Sequence, residues 1–235
     1  MWNGKNKAIT FSFDDGVQQD KKCIEILNKY GLKATFNLNS ANFGQKFPYT
    51  MPSDGRIIER TIINPDEVSP LYKRHELGVH TLTHANLLEL PDSCIVWQVE
   101  EDRKTLERLG GKPVSVMAYP CGYVNDHVVD VIKNKTQIKM ARTVVSTYNF
   151  DLQDDLFNFN PTIHMKEYDK MVELAKEFLA LKTDKPQLFY IWGHSYEFDM
   201  DDINYEKFEE FCNLISNKND IFYGTNGDVL SLDGL

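Results

Sequence analysis

The chain has 235 residues, of which 42% are hydrophobic and 12% aromatic, and its formal net charge is −9. This length and apolar content favour one globular domain with a substantial core, so we predict a single domain over residues 1–235. The acidic charge and the lack of a Lys/Arg-rich run argue against nucleic acid and anionic membranes as partners. The sequence indicates no obligate protein partner either.

Neither a membrane anchor nor a disulfide framework is visible in the sequence. No stretch approaches the roughly 20 apolar residues of a membrane span, and residues 1–7 lack the apolar core of a signal peptide. The four cysteines are scattered and form no Cys-x-x-Cys pair. We therefore expect a cytoplasmic protein, or a secreted one if a leader has been removed.

Short apolar runs alternate with amphipathic stretches along the chain. This alternation predicts an α/β fold, and up to eight strand-then-helix units favour a barrel over an open sheet. The predicted strands are 8–13, 33–38, 76–81, 114–119, 138–143, 161–165, 187–192 and 221–224. The predicted helices are 19–30, 92–109, 128–135, 166–181 and 205–216.

The long stretch 39–64 is the main irregularity in this pattern. It carries four large apolar side chains before residue 52, and the run 56–63 is compatible with a hairpin. A connection of this length in a compact domain is more often a functional cover than an idle loop.

Two adjacent carboxylates, Asp14 and Asp15, end the first predicted strand in the run TFSFDDG. At a strand end the backbone can turn and direct both side chains to one cavity. Neighbouring carboxylates repel each other unless a cation or a shared proton compensates. The pair therefore indicates either a charged site or, taken alone, an ordinary Asp-Asp-Gly turn.

Two histidines four residues apart, His80 and His84, close the predicted strand 76–81. Residues at this spacing share one face of a helical turn, and the carboxyl ends of barrel strands share one rim. Two imidazoles and one of the two aspartates would make a three-ligand site with an open position, as in catalytic zinc centres. The remaining aspartate would then be a general base. The alternative is a pair of structural histidines.

Two further segments reach the same predicted rim. The turn YPCG at 119–122 can present a backbone N–H near Cys121 to an oxyanion, or it is an ordinary strand-to-helix turn. The very apolar strand 187–192 delivers His194, which we favour as a general acid over a further metal ligand or a packing residue. His75, His127 and His164 have no comparable context, so we interpret them as structural or surface residues.

Aromatic and acidic side chains surround these segments. The aromatic residues either stack on a sugar or pack in the protein, and they are Tyr119, Tyr123, Trp192, Tyr196 and Phe198. The acidic residues after His194 either bind an amine or hydroxyl groups, or form a solvated loop, which we favour; they are Glu197, Asp199, Asp201 and Asp202.

These motifs resemble those of the polysaccharide deacetylase family, the NodB-homology or carbohydrate esterase family 4 group. The matching segments are TFSFDDG at 10–16, HTLTH at 80–84, YPCG at 119–122 and the strand before His194, in family order. The resemblance implies a distorted (β/α) barrel of seven or eight strands. It further implies a base, an acid and three metal ligands: Asp14, His194, and Asp15 with His80 and His84.

The sequence also departs from the family pattern. Family members often have an Arg two residues before the motif Pro, where it pairs with the base, and this chain has Ala118 there. The family's later Asp-Trp motif has no clear counterpart. We predict that Arg142, at the end of the fifth predicted strand, supplies the missing charge; the alternative is an ordinary surface Arg.

The leading hypothesis from the sequence is a metal-dependent hydrolase that removes N- or O-linked acetyl groups from a carbohydrate. Zinc is the favoured divalent ion, with cobalt and nickel as alternatives. The candidate oxyanion or substrate residues are Tyr119, Cys121, Arg142 and Trp192. Three rivals remain open: a deacylase of a small cytosolic amide, a carbohydrate-binding homologue with weak or no catalysis, and a protein with a purely structural metal site.

Overall fold

The computed structural model describes residues 1–200 and 202–230. Asp201, one of the acidic residues considered above, lies outside the described residues. Eight strands form one parallel sheet: β1 (Lys7–Asp15), β2 (Ala34–Leu38), β5 (Glu76–Val79), β6 (Val116–Ala118), β7 (Met140–Arg142), β8 (Ile163–His164), β9 (Gln187–Gly193) and β10 (Ile221–Tyr223). All eight predicted strands are therefore present, most of them shorter than predicted.

Seven α-helices accompany the sheet in the described residues: α1 (Asp20–Lys29), α2 (Val68–Tyr72), α3 (Asp92–Gly110), α4 (Asp126–Lys135), α5 (Tyr168–Ala180), α6 (Tyr205–Ile215) and α7 (Asn226–Val229). The five predicted helices are present, and the short helices α2 and α7 were not predicted. Among these residues, no helix is both long and apolar enough to cross a membrane.

The sheet curls into a distorted barrel, which confirms the predicted fold class. Its order is β7-β6-β5-β2-β1-β9-β8, and β10 pairs with the first residues of β1. The two edge strands, β7 and β8, do not pair directly. Instead the irregular segment 156–159 hydrogen-bonds to β7, and the chain then continues into β8. This segment without regular secondary structure spans the gap between the two edge strands.

Strand β1 shows why the sequence pattern alternates. Its apolar residues Phe11 and Phe13 pack outward against Phe208 of α6, with ring centroids 6.0 and 6.1 Å apart. Its polar residues Thr10 and Ser12 are buried on the inner side of the barrel. The barrel therefore has an apolar outer layer under the helices, and its interior combines these polar residues with an apolar cluster that includes Ala8, Tyr190 and Val229.

A hydrogen-bond network links the polar residues of this interior, because buried polar groups need partners. Asn226, the first residue of α7, accepts from Thr10 Oγ1 at 3.0 Å and donates to Ser12 Oγ at 3.3 Å. Ser12 Oγ also accepts from Asn37 Nδ2 at 2.9 Å and Arg142 Nε at 3.3 Å. Helix α7 thus closes one end of the barrel like a plug. Its residue Asn226 is connected through Ser12 to Asn37 and Arg142.

The segment 39–64 contains a small antiparallel hairpin, β3 (Tyr49–Thr50) and β4 (Ile57–Ile58). Outside these strands the two arms remain linked, as Phe47 N donates to Arg60 O at 2.8 Å and Ile62 N donates to Gln45 O at 2.9 Å. The segment therefore does contain a hairpin, but the run 56–63 forms only its second arm, and residues 45–51 form the first arm.

Candidate active site

The end of β1 turns so that both carboxylates face one cavity. Asp15 has a left-handed φ of 78°, and Gly16 follows with a φ of 67°. A left-handed non-glycine residue costs about 1–3 kcal/mol, and such residues are enriched at active sites. Because of this turn, Asp14 and Asp15 line the same cavity instead of pointing to opposite faces of the sheet.

Asp14 is a buried carboxylate with a complete set of partners. Arg142 Nη2 donates to its Oδ1 at 2.6 Å and its Oδ2 at 2.5 Å, and Asn37 Nδ2 donates to Oδ1 at 2.8 Å. Burial raises the pKa of Asp14, but Arg142, with His80 and His194 nearby, outweighs it and lowers that pKa to about 2. Asp14 is therefore ionised and fixed in orientation.

Arg142 lies behind this aspartate and not in the cavity. Its side chain is fully buried, and its guanidinium carbon is 4.5 Å from the ring centroid of Trp192. The alternative of an ordinary surface Arg is wrong. Arg142 is also not among the residues lining the cavity, so it does not reach a substrate there.

Asp15, His80 and His84 place one ligand atom each within 4.8 Å of one another. Asp15 Oδ1 lies 3.7 Å from His80 Nε2 and 3.6 Å from His84 Nε2. His80 Nδ1–H donates to Ala118 O at 2.8 Å, which leaves the lone pair of Nε2 facing the cluster. Burial lowers the pKa of His80, so that the imidazole is neutral as a metal ligand must be.

An unpaired carboxylate oxygen in the cluster also favours a bound divalent cation. Asp15 Oδ1 is buried without a hydrogen-bond partner among the described residues. A buried carboxylate oxygen without a partner is costly unless a cation satisfies it. Two imidazole nitrogens and one carboxylate oxygen are a donor set that suits zinc and similar ions.

The backbone around His80 is fixed by two residues that the sequence did not single out. Asp102, from α3, accepts from His80 N at 3.2 Å and from Ser40 N at 2.8 Å. Asn39 Nδ2 donates to the carbonyls of His80 and Thr81. These contacts join β5, α3 and the start of the segment 39–64 behind the metal-ligand cluster.

His194 follows β9 and is bound to a buried glutamate. Its Nδ1 lies 2.9 Å from Glu197 Oε1, and its backbone N donates to Glu197 Oε2 at 3.1 Å. Burial lowers the pKa of His194, but Glu197 outweighs that effect and raises it to about 9. The same ion pair lowers the pKa of Glu197 well below its ordinary value, although burial alone would raise it.

The solvated-loop interpretation is therefore wrong for Glu197, which is 2% exposed. Its Oε1 also lies 3.4 Å from His164 Nε2 and 3.4 Å from Lys166 Nζ. The group His164, His194 and Glu197 has the spacing of a metal site. However, the Lys166 ammonium already neutralises this carboxylate, so we interpret the group as an ion-pair cluster.

The loop that carries His194 is attached to the helical layer through Asp20. Asp20 is buried at the start of α1 and accepts from Ser195 Oγ at 2.5 Å and Tyr72 Oη at 2.6 Å. Burial raises the pKa of Asp20 to about 7 despite these hydrogen bonds. The segment after β9 is thus held both by Glu197 and by Asp20.

The cavity has a volume of about 570 Å³, and the segment 39–64 forms one of its walls. Cys121, Trp192, His194 and Tyr196 line it together with Asp15, His80 and His84, the candidate metal ligands. Cys121 has a left-handed φ of 53°, and burial raises the pKa of its thiol, which does not suit a nucleophile.

Other predicted site residues lie elsewhere. Tyr119 is fully buried with its hydroxyl donating to Phe157 O at 2.8 Å, and Phe198 is 3% exposed in the core. Neither lines the cavity, so packing and not sugar stacking describes them. Tyr123 is 45% exposed but also outside the cavity lining. His164, which sequence reasoning set aside, contacts both Trp192 and Glu197.

The chain is similar in sequence to known proteins. The model of the polysaccharide deacetylase family matches residues 3–140. A chitin deacetylase from Pestalotiopsis sp. is 29% identical over 119 residues, which are 48% of this chain and 34% of that protein. A second one, from Arthroderma benhamiae, is 31% identical over 98 residues, 41% of this chain and 22% of that protein. The alignments thus span about a third or less of these relatives.

Solved structures share the fold over nearly the whole chain. The CE4 domain of a multidomain xylanase from the hindgut metagenome of Trinervitermes trinervoides has a TM-score of 0.59 and 16% identity, covering 96% of this chain and 90% of that one. A CE4 family pseudoenzyme from Bacillus anthracis has a TM-score of 0.57 and 16% identity, covering 96% and 66%. Since the family model matches more than half of its residues, this chain belongs to the polysaccharide deacetylase family.

Proposed function

We propose that this protein is a metal-dependent deacetylase that removes an acetyl group from a carbohydrate by hydrolysis. The observation that carries the proposal is the convergence of an anchored carboxylate, a three-residue ligand cluster and a paired histidine on one cavity. The substrate class comes from the family, and the assignment of roles rests on the contacts described above.

Asp15, His80 and His84 would hold the divalent ion, and zinc suits their donor set best. When bound, such an ion lowers the pKa of a water molecule and polarises a carbonyl oxygen. Contacts within the protein already fix the orientation of the ligand His80. The Ala118 carbonyl fixes the tautomer of His80, and Asp102 fixes its backbone.

Asp14 is the proposed general base. Its side chain lies beside the ligand cluster, with Oδ2 3.9 Å from His80 Nε2, so it can accept the proton of a water molecule bound in the cavity. Arg142 and Asn37 keep the carboxylate ionised and stop it from rotating. Arg142 thereby has the role that the family resemblance would give to an Arg at Ala118.

His194 is the proposed general acid, donating a proton to the departing amine or alcohol. Its Nδ1–H is directed to Glu197, which leaves Nε2–H as the proton available to the substrate. A pKa of about 9 keeps the imidazole protonated at neutral pH. The backbone N–H of Cys121 is the candidate donor to the oxyanion that forms on the acetyl carbon.

The test is acetate release by purified, zinc-loaded protein from acetylated glucosamine oligomers and acetylated xylan. Asp14→Asn should lower kcat by about 10²–10⁴-fold while bound zinc, measured by elemental analysis, stays stoichiometric. Asp184→Asn, at an exposed aspartate, is the matched control. Acetate release at the wild-type rate by Asp14→Asn would contradict the role of Asp14.

Small acetylated amides belong in the same panel. The cavity volume of about 570 Å³ lies within the ~300–1,000 Å³ typical of small-molecule sites, so a substrate smaller than a polymer fits it. Faster turnover of small non-sugar amides than of any saccharide would favour the small-amide deacylase. Saccharide binding by zinc-loaded protein without acetate release would favour the non-catalytic homologue. The Arg142–Asp14 ion pair argues against that alternative, because it keeps the proposed base ionised and oriented.

A further inference from the structure

Arg60 is the one Lys or Arg side chain among the described residues that line the active-site cavity. The described residues contain no carboxylate within 4 Å of its guanidinium, although the chain as a whole is acidic. The acidic residues that also line the cavity, Asp14 and Asp15, have other assignments: one is paired with Arg142, and the other belongs to the ligand cluster. Among the described residues, therefore, no carboxylate neutralises the charge of Arg60.

Arg60 is nevertheless held in place. Its Nε donates to Phe47 O at 2.9 Å, and its backbone carbonyl accepts from Phe47 N at 2.8 Å. Its guanidinium carbon is 5.0 Å from the ring centroid of Tyr196 and 5.7 Å from that of Tyr49. Two aromatic rings and a backbone carbonyl thus orient a planar cation, which lowers the entropy cost of binding an anion.

The cation lies close to the reacting groups. The Tyr196 ring that contacts Arg60 also contacts the His194 imidazole, with ring centroids 4.9 Å apart. A ligand whose acetyl group reaches the base and the acid would therefore place a neighbouring substituent near Arg60. The other cavity-lining residues of the segment 39–64 are uncharged, and they include Asn42, Gln45 and Ile62.

We infer that Arg60 selects an acetylated saccharide that carries an anionic group, a carboxylate or a phosphate, next to the acetylated position. A guanidinium that lines a binding cavity, near two aromatic rings and with no carboxylate partner among the described residues, recognises such oxyanions through paired hydrogen bonds. This inference rests on the proposed deacetylase function and adds the charge of its substrate.

The experiment compares three monosaccharides that share the acetamido group at C2: N-acetylglucosamine, its 3-phosphate, and its 3-O-lactyl ether N-acetylmuramic acid, so that both anionic groups stand on the neighbouring position. We expect kcat/KM of the zinc-loaded enzyme to be at least 10-fold higher for one of the two acidic sugars, and the preferred one distinguishes phosphate from carboxylate recognition. Arg60→Gln should remove this preference by raising KM about 10- to 100-fold for the acidic sugar only. Arg60→Lys should retain part of the preference.

Lys46→Gln is the matched control, because Lys46 lies on the same segment, is exposed and does not line the cavity. An equal loss on neutral and acidic sugars in Arg60→Gln would overturn the inference and make Arg60 a residue that only holds the cavity wall. So would the absence of any charge preference in the wild-type enzyme. If no sugar releases acetate, the deacetylase proposal fails, and calorimetric binding of the acidic against the neutral sugar still tests Arg60.

Discussion

Ala118 and Arg142 are register partners on the adjacent parallel strands β6 and β7. Side chains at partner positions of a parallel sheet project to the same face, about 4.8 Å apart. A cation moved from position 118 to position 142 therefore stays on the same face of the barrel and can reach the same carboxylate. The ion pair of Arg142 with Asp14 has this geometry.

The first prediction follows from this exchange. Arg142→Met leaves Asp14 buried without its cation, and breaking one side of a buried ion pair costs about 3–5 kcal/mol. We expect kcat/KM for acetate release to fall by about 10²-fold or more, with a lower free energy of unfolding in urea. The double variant Arg142→Ala, Ala118→Arg should recover part of both quantities.

Arg108→Met, at an exposed Arg near the end of α3, is the control and should be close to wild type. If Arg142→Met had wild-type stability and turnover, the ion pair would have no role in either. If the double variant were no better than Arg142→Met, the two positions would not be interchangeable.

The second prediction concerns the pH profile. Because His194 has a pKa of about 9 owing to Glu197, a general acid at this position loses its proton only as the pH rises through 9. Glu197→Gln removes the negative charge and keeps the shape, so the basic limb of kcat/KM should move to lower pH by one unit or more. The measurement is kcat/KM between pH 5 and 10, with the exposed Glu173→Gln as control.

The same pair affects folding stability with a definite sign. Because its pKa is raised, His194 adds to the free energy of unfolding. This stabilisation is complete below the unfolded pKa of 6.5 and is lost as the pH rises through about 9. The lowered pKa of Glu197 gives a stabilisation that is present above 4.5 and is lost as the pH falls. An unchanged basic limb in Glu197→Gln, with unchanged stability at pH 6, would mean that Glu197 does not control His194.

The third prediction is that metal binding stabilises the fold. An ion that binds only the native state raises the free energy of unfolding by RT ln(1 + [L]/Kd), about 2.7 kcal/mol at 100 Kd. We expect zinc to raise the Tm of the wild-type protein, and chelation to lower it. His84→Ala should abolish this rise, because His84 supplies one of the three clustered ligand atoms.

His127→Ala is the control for that series, since His127 is exposed and pairs with Asp92 far from the cluster. A zinc-dependent Tm rise of equal size in His84→Ala would exclude His84 as a ligand. This readout does not depend on catalysis, so it tests the ligand cluster even if the substrate remains unidentified.

The fourth prediction concerns Asp20. Since its pKa is raised to about 7, the stability that protonated Asp20 contributes is complete below pH 3.8 and is lost as the pH rises through 7. Asp20→Asn mimics the protonated form, so it should raise the free energy of unfolding at pH 8 by about 1–3 kcal/mol and leave it nearly unchanged at pH 4. Urea denaturation at both pH values, with Asp184→Asn as control, checks this; destabilisation at pH 8 would contradict it.

The sequence predicted most of the barrel because its strands are short apolar runs bounded by clear breaks. The helices α2 and α7 were missed because four or five residues are too few to show a 3.6-residue period. The two motifs at 14–15 and 80–84 were recognisable because each places its functional residues close together in sequence. Both also follow a predicted strand, which indicated a shared site at one rim. In the structure, residues of both motifs line one cavity.

Contacts between distant residues were harder to foresee. Glu197 looked like one of several solvated acids, and only the short turn after β9 brings it back onto His194. Tyr119 and Phe198 were candidates for sugar contact because sequence does not tell on which side of a strand or turn an aromatic ring lies. The role of Asp102 could not be predicted from the sequence. It is one of several charged residues on the amphipathic helix α3, and nothing in the sequence indicates that it contacts His80.

The plug formed by Asn226 has a consequence for how this protein is made. The residues proposed for chemistry are all synthesised by position 194, yet Ser12, which hydrogen-bonds the Arg142 side chain, also needs Asn226 from the last helix. A nascent chain that ends at residue 200 would contain every proposed reactive group but not Asn226. The hydrogen-bond network at Ser12 would therefore still be incomplete when the groups proposed for chemistry are already present.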